Sequence, residues 1–287
     1  MRRRLAVSQR FEPAFHRTST AFEVLGPAIT RASSAWRDWP AVSEYDAWSA
    51  ELEALAGRGL RFREADRARV ATAGGYDGWI EETGLIPTRA RSWHDFFNAC
   101  IWARFPRSKL AVHRLQLRES RHRPGPFRTQ RQNWLTHFDE CGVLVLSSRP
   151  ELASCIERLA WRELFLERRA AFGRQVRVWC FGHATLEALR EPYVGLMGKA
   201  VVLHEPALEG DECAEALLRR ADQRLAALLD AATRHSEGTL PRLSALPVLG
   251  LPGWHAANER ASFYDQEHYF RTGPARGPTL ASSSGAQ

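Results

Sequence analysis

Residues 138–146 read Phe-Asp-Glu-Cys-Gly-Val-Leu-Val-Leu, and this stretch joins a helical part of the chain to a part that alternates strands with helices. The apolar run at 143–146 is uninterrupted, which is typical of a strand buried on both faces of a sheet. Residues 129–140 before it have helical periodicity. Gly142 is expected to end that helix in the left-handed conformation that glycine adopts most easily.

Further strands follow, and a helix separates each strand from the next. The predicted strands are 176–181 and 200–203, and the predicted helices are 150–172, 185–190 and 211–232. This alternation predicts a mixed, helix-rich α/β fold with a small sheet of three or more strands and right-handed crossover helices. Residues 246–254, rich in proline and glycine, are expected to form an ordered crossing loop that buries Leu249 and Trp254.

The N-terminal half of the chain is expected to be helical, with amphipathic patterns over residues 20–70. Ser92 is a good N-cap, and Asp95 three residues later is expected to complete a capping box. The helix that they start is predicted to run to about residue 104, and Pro-Arg-Ser-Lys then opens a second helix at 107–119.

One globular domain is expected over residues 11–271, because the sequence shows no internal repeat and no second core pattern. Residues 1–10 are basic and are expected to form a flexible leader. Residues 272–287 are rich in glycine, serine, proline and alanine, a composition that predicts a disordered tail.

Composition places the protein in the cytoplasm. No apolar run approaches the roughly 20 residues that span a bilayer, so we expect no contact with a membrane. Gln9, Arg10 and Glu12 interrupt any apolar segment near the start, which argues against a secretory signal. The five cysteines include no C-x-x-C pair, which favours reduced thiols over disulfides or a zinc ribbon.

A net charge of +7 raises the alternative of a polyanion-binding module. The candidate residues surround a Pro-Gly-Pro loop, and they are Arg121, Arg123, Arg128 and Arg131. Nucleic-acid binding is not favoured, because Phe127 is the one aromatic residue in this stretch and offers a poor platform for base stacking. Lysine occurs at two positions in the whole chain, so the arginine excess also fits a general bias in composition.

His94 and Asn98 lie four residues apart on the first motif helix and therefore share one face. Two interpretations are open for this face. In the structural one, which we favour, Asp95 caps the helix and His94 lies at the surface. In the functional one, His94 is a general acid or base or a metal ligand, and Asn98 supports it.

Asp139 and Glu140 lie at the C-terminal end of their predicted helix, where the helix dipole disfavours negative charge. A positive partner is therefore expected. An arginine is favoured, a lysine or a bound cation is the alternative, and Lys109 on the second motif helix is a supporting candidate. A metal ligand or a general base is the sharper functional interpretation of the two carboxylates.

His183 directly follows a predicted strand, and Glu187 lies four residues later in the next helix. Sites in open α/β sheets collect beyond the carboxyl ends of the strands, where we expect both His183 and His204. Asp139 precedes the first strand, so in a fully parallel sheet it would lie at the opposite edge. The two clusters meet only if those strands are antiparallel or the first motif helix folds across.

Several motifs together resemble one bacterial family. They are Trp93-His94-Asp95-Phe96-Phe97-Asn98, Phe105-Pro106-Arg107-x-Lys109, Phe138-Asp139-Glu140-x-Gly142, Phe181-Gly182-His183-Ala184 and the segment that begins Leu246-Pro247-Val248-Leu249-Gly250. The chain resembles domain-of-unknown-function family 3025, which is mainly proteobacterial, with a family-like core at about 76–271. The resemblance implies a cytoplasmic bacterial protein and carries no known activity, cofactor or partner.

We favour an enzyme, a hydrolase that acts with or without a divalent metal. Its catalytic candidates are His94, Asp139, Glu140 and His183, with Glu187 as a supporting residue. A basic polyanion-binding module and a non-catalytic scaffold protein are the alternatives. The sequence has no nucleotide-binding loop, nucleophile elbow or dinucleotide fingerprint, and it identifies no cofactor and no partner.

Overall fold

The computed structural model describes residues 10–122, 127–209, 212–234 and 239–272. Arg123 and the Pro-Gly-Pro loop lie outside these ranges, as do most of the predicted leader and all of the predicted tail except Thr272. None of the helices in the described ranges is both long enough and apolar enough to span a membrane.

The half of the chain that precedes the main sheet is helical, as predicted. Its helices are α1 (Gly26–Ala35), α2 (Ala50–Ala56), α3 (Arg67–Thr72), α4 (Tyr76–Thr83), α5 (Trp93–Arg104), α6 (Pro106–His122) and α7 (Gln130–Cys141). Two three-residue strands, β1 (Arg61–Arg63) and β2 (Leu85–Pro87), pair in parallel within this half and were not predicted. They are too short for a hydrophobic period to mark them in the sequence.

Ser92 caps α5 as predicted, because its hydroxyl accepts a hydrogen bond from the backbone N–H of Asp95. The predicted capping box is wrong. The Asp95 carboxylate instead accepts hydrogen bonds from Arg89, through its backbone N–H and through a guanidinium nitrogen at 2.7 Å. Asp95 thereby fixes the loop that follows β2 against the first turn of α5.

The main sheet confirms the mixed α/β fold. It contains β3 (Gly142–Ser147), β4 (Val176–Cys180), β5 (Met197–His204) and β6 (Ser244–Pro247) in the order β4-β3-β5-β6. The pair β3 and β5 is parallel, whereas β4 and β6 are antiparallel to their neighbours. The strand β6 was not predicted. Its last two residues, Leu246 and Pro247, lie within the segment 246–254 that was expected to be a crossing loop.

The helices of this half are α8 (Pro150–Glu157), α9 (His183–Ala188) and α10 (Ala214–Arg234). The single helix predicted at 150–172 is wrong, because α8 is followed at Leu159 by a positive φ of 58° that breaks the helix. A π-helical turn at Glu163–Glu167 and a short 3-10 turn at Arg169–Ala171 continue the segment. The break allows Trp161 to pack in the core.

Gly142 does not adopt the predicted left-handed conformation. Its φ of −63° and ψ of 141° are extended, and β3 begins at this residue directly after α7. Glycine is needed here for space, since a Cβ atom would overlap the carbonyl oxygen and the ring of Phe138. The chain passes from helix to strand without a loop, so Asp139 and Glu140 are held one turn from the sheet edge.

Buried apolar side chains from Phe11 to Phe270 form one contiguous cluster. Leu249 and Trp254 are buried in it, as predicted. The C-terminal aromatic residues close the cluster, and the Tyr269 hydroxyl donates to the carbonyl of Leu196 at 2.7 Å. The core therefore links the helical half, the sheet and the C-terminal segment.

Candidate metal centre

The direction of β4 brings the two parts of the candidate site together. Because β4 is antiparallel to β3, Cys180 at the end of β4 pairs with Val143 at the start of β3. The C-terminus of α7 and the N-terminus of α9 therefore meet at one sheet edge, and α5 packs across α9. His204 was expected at this edge but lies at the opposite one, where its ring is 3.2 Å from the carbonyl of Ser147.

Three side chains converge at this edge. The Nε2 atoms of His94 and His183 are 3.1 Å apart, and the Glu140 carboxylate is 3.5 Å from His183 Nε2 and 3.9 Å from His94 Nε2. Ligand atoms around a tetrahedral zinc ion, at 2.0–2.2 Å from it, lie about 3.3 Å from one another. The triangle of nitrogen and oxygen atoms thus already has the dimensions of a metal ligand set. His94 is 29 % exposed, and its ring contributes to this cluster.

Glu187 fixes the orientation of His94. Its carboxylate lies 3.4 Å from His94 Nδ1, which assigns the proton to that nitrogen and leaves Nε2 with a lone pair. A carboxylate behind a histidine is the usual outer partner of a metal ligand. Burial lowers the pKa of His94. The hydrogen bond to Glu187 and the charges of Glu140 and Asp95 raise this pKa by more than burial lowers it, so the net shift is upward.

His183 is held as a neutral imidazole. Its side chain is 4 % exposed, and burial lowers its pKa to about 3. At neutral pH His183 can therefore offer an unprotonated nitrogen, whereas a metal ion would have to displace the proton that the raised pKa of His94 favours. Burial raises the pKa of Glu140, and the nearby charge of Asp139 adds to this effect.

Lys109 is the positive partner of Asp139, so the favoured expectation of an arginine is wrong. The Lys109 ammonium is 2 % exposed and donates to Asp139 at 2.6 Å and to the amide oxygen of Asn98 at 2.9 Å. Burial raises the pKa of Asp139, but the charge and hydrogen bond of Lys109 and the charges of His183 and His94 together lower it by more, so that the net shift is downward. Asp139 is therefore ionised at neutral pH and faces the cavity beside the triangle.

A cavity of about 510 Å³ opens above the triangle. Its walls come mainly from the helical half of the chain, α7 included. They contain Tyr76, Asp77, Arg67, Arg89 and Thr136. Among the described residues that line the cavity or pair with its lining, five are carboxylates and three are cations, with imidazoles counted as neutral. The carboxylates are Asp77, Asp95, Asp139, Glu140 and Glu187, and the cations are Arg67, Arg89 and Lys109. Carboxylates therefore outnumber cations at the cavity, which favours a bound cation.

The comparison with known proteins identifies a family. A family described as "Protein of unknown function (DUF3025)" matches residues 60–274, which include every residue of the triangle and its supporting side chains. The chain belongs to the DUF3025 family. No curated protein and no solved structure matches it. The family description names no activity, so the chemistry has to be argued from the DUF3025 site itself.

Two contributors to this DUF3025 site were missed in the sequence. Tyr76 lies 22 residues before Asn98, yet its hydroxyl is 2.9 Å from the Asn98 amide nitrogen. Arg89 holds Asp95 from a loop with no regular pattern. His113 is buried and lies 2.9 Å from Asp77. Neither a motif nor a periodicity marks these three contacts.

Two of the four arginines of the polyanion-binding alternative, Arg121 and Arg131, lie near carboxylates. Arg131 lies 2.9 Å from Glu119 and donates to a backbone carbonyl of α10. Arg121 is exposed and lies 3.5 Å from Glu81, and Arg128 is exposed. Arg123 is outside the described residues.

Proposed function

We propose that this DUF3025 protein is a hydrolase that depends on a divalent metal ion bound by His94, Glu140 and His183. The observation that carries the proposal is the triangle of ligand atoms, with edges of 3.1, 3.5 and 3.9 Å, backed by Glu187 on His94. Two histidines and one glutamate form a known catalytic ligand set for zinc, in which further positions stay open to water and substrate. Here those positions would face the cavity.

The ion would lower the pKa of bound water to near neutrality and polarise a substrate oxygen. Asp139 is the protein group next to this position. Because Lys109 keeps it ionised, its carboxylate can accept a hydrogen bond from the attacking water and orient it. Lys109 donates to both Asn98 and Asp139, so its ammonium is fixed between these two side chains. The ammonium in turn holds the Asp139 carboxylate in place.

The same ligand types also bind Fe(II) in oxygenases, so the choice of hydrolase requires a reason. Asp139 provides it, because a carboxylate that is ionised at the cavity wall serves to orient water, which is the second substrate of a hydrolase. The excess of negative charge at the cavity favours a redox-inactive divalent ion as much as it favours Fe(II). The experiment below distinguishes the two chemistries.

The test starts from the full-length protein after removal of metal with a chelator. Zinc and cobalt binding are measured by calorimetry and by the visible spectrum of the cobalt form. Hydrolysis of p-nitrophenyl acetate is measured with and without each ion. His94→Ala and His183→Ala should weaken zinc binding by more than the roughly ten- to hundredfold that outer partners contribute. His204→Ala is the matched control, because His204 lies at the far sheet edge.

The proposal predicts one zinc ion per chain and hydrolysis that requires the ion and all three ligands. A zinc affinity that the His94 and His183 variants leave unchanged would contradict it. So would activity that only Fe(II) supports and that consumes dioxygen, which would assign the same ligands to an oxygenase.

The proposal also places a single domain, residues 11–271, in a bacterial cytoplasm. The single domain is supported by the contiguous core, and the cytoplasm by the free cysteines, among them Cys100 and Cys180 in the interior. Limited proteolysis should leave a stable fragment with these bounds, and cleavage into two stable halves would contradict a single domain.

A further inference from the structure

Tyr76 places a hydroxyl group in the wall of the cavity, at the first residue of α4. Two N–H groups point at its oxygen. The amide nitrogen of Asn98 is 2.9 Å away and the indole nitrogen of Trp102 is 3.0 Å away. The hydroxyl is therefore fixed by α5, the helix that also carries His94.

The direction of both hydrogen bonds follows from the chemistry of the groups. Lys109 can only donate, so the Asn98 oxygen must face it and the Asn98 NH2 group must face Tyr76. The indole of Trp102 is likewise only a donor. The Tyr76 oxygen accepts both bonds, and its own proton needs an acceptor elsewhere. None of the described side chains or backbone groups lies within hydrogen-bond distance to accept it.

We infer that the Tyr76 hydroxyl donates a hydrogen bond to the carbonyl oxygen of a bound substrate, and that this substrate is a neutral ester, amide or lactone. The inference rests on the proposed function, because the substrate must also reach the metal ligands. Burial raises the pKa of the Tyr76 phenol, which keeps the hydroxyl protonated at neutral pH. Two N–H groups that donate to the same oxygen polarise the O–H bond and make it a stronger donor.

The charge of the cavity favours a neutral substrate over an anion. Lys109 and Arg89 are already paired with Asp139 and Asp95. Neither of these paired cations is therefore free to hold a phosphate beside the triangle. Arg67 is exposed at the margin of the cavity.

Hydrolysis of such a substrate balances with water as the co-reactant. The water oxygen forms a bond to the carbonyl carbon, and the electron pair of the carbonyl double bond moves to the oxygen that Tyr76 contacts. As that pair returns, the bond to the leaving oxygen or nitrogen breaks. One water proton passes through Asp139 to the leaving atom, and Tyr76 keeps its own proton throughout.

Tyr76→Phe tests the inference in zinc- and cobalt-loaded protein, with Tyr193→Phe, on an exposed loop, as the control. Acetohydroxamic acid, which is uncharged in neutral solution and binds metal as acetohydroxamate through its carbonyl oxygen, is the probe for binding, and inorganic phosphate is the anionic comparison. Tyr76→Phe should leave zinc affinity within about threefold and weaken acetohydroxamate about tenfold, the upper end for one lost hydrogen bond between uncharged groups. With p-nitrophenyl acetate, kcat should fall roughly 100- to 1000-fold with little change in KM.

Equal acetohydroxamate affinity in Tyr76→Phe and wild type would overturn the inference. In that case the Tyr76 hydroxyl would donate its hydrogen bond to a water molecule in the side cavity of about 30 Å³ beside Tyr76 and His113. Phosphate that binds more tightly than acetohydroxamate would overturn the neutral substrate class. A wild-type protein that binds neither zinc nor cobalt would instead refute the proposed function, and the inference with it.

Tyr76→Phe also leaves two buried N–H groups without an acceptor and can destabilise the fold. Trp102→Phe is the second variant, because it removes one of these donors and leaves the Tyr76 hydroxyl in place. It should weaken acetohydroxamate about threefold at unchanged zinc affinity, a smaller effect of the same kind. An unchanged acetohydroxamate affinity in this variant would argue against a polarised Tyr76 donor.

Discussion

Replacing Lys109 by methionine tests how the buried polar cluster is held together. The ammonium is 2 % exposed, donates to Asp139 and Asn98, and lies 5.0 Å from the centre of the Trp102 ring. Breaking a buried pair by removal of one partner costs about 3–5 kcal/mol, because the remaining charge is left uncompensated. Asp139 keeps 23 % of its side-chain surface, so we expect the lower end, about 3 kcal/mol.

Guanidinium chloride denaturation at pH 7, compared at constant m-value, measures this loss. Lys199→Met is the matched control, since Lys199 is the other lysine of the chain and should change the unfolding free energy by less than about 0.5 kcal/mol. Asp139→Asn in the Lys109→Met background should recover part of the loss by removing the unpaired carboxylate. A Lys109→Met loss below about 1 kcal/mol, or equal to that of the control, would refute the buried-pair argument.

The same pair has a defined pH dependence. Because the folded pKa of Asp139 lies below the unfolded value near 4, the pair stabilises the fold above about pH 4. That stabilisation is lost as the pH falls through the folded pKa. The difference in unfolding free energy between wild type and Lys109→Met should therefore narrow in acid, and a constant difference would contradict the assigned ion pair.

Three further variants have defined outcomes. Glu187→Gln should weaken zinc binding about ten- to hundredfold in calorimetry, with little change in melting temperature, since it removes the carboxylate behind one ligand. Burial raises the pKa of Asp222 to about 6, so ionisation of this carboxylate opposes folding. Relative to Asp222→Asn, wild type should lose roughly 2 kcal/mol between pH 4 and pH 6 in denaturation experiments, and an increase would contradict the raised pKa. Gly142→Ala should cost about 1–3 kcal/mol by overlap with Phe138, whereas Gly59→Ala, in open space, should cost less.

The hydrophobic pattern was enough to predict much of the fold, because it indicates which residues are buried. The continuous apolar run at 143–146 marked β3, and the periodic residues of α5, α6 and α10 marked those helices. Pattern does not report direction, so the antiparallel pairing of β4 with β3 could not be obtained from it. That pairing is a property of the whole sheet, and it decides whether Asp139 and His183 can meet.

The candidate site could likewise be predicted from the sequence only in part. The awkward position of Asp139 at a helix end correctly indicated a positive partner, but helix electrostatics cannot distinguish lysine from arginine. Tyr76 reaches the site from 22 residues before Asn98, and Arg89 reaches it from a loop with no regular pattern, so spacing carries no information about either. Asp95 shows the reverse error, since its capping pattern was present in the sequence but its carboxylate pairs instead with Arg89, six residues earlier.

The most direct test of the metal centre is anomalous diffraction at the zinc edge from crystals of the zinc-loaded protein. The account predicts one anomalous peak at about 2.0–2.2 Å from His94 Nε2, His183 Nε2 and a carboxylate oxygen of Glu140, with Glu187 still on His94 Nδ1. A saturated crystal with zinc bound elsewhere, or with the two histidines in direct hydrogen bond and no peak between them, would contradict it.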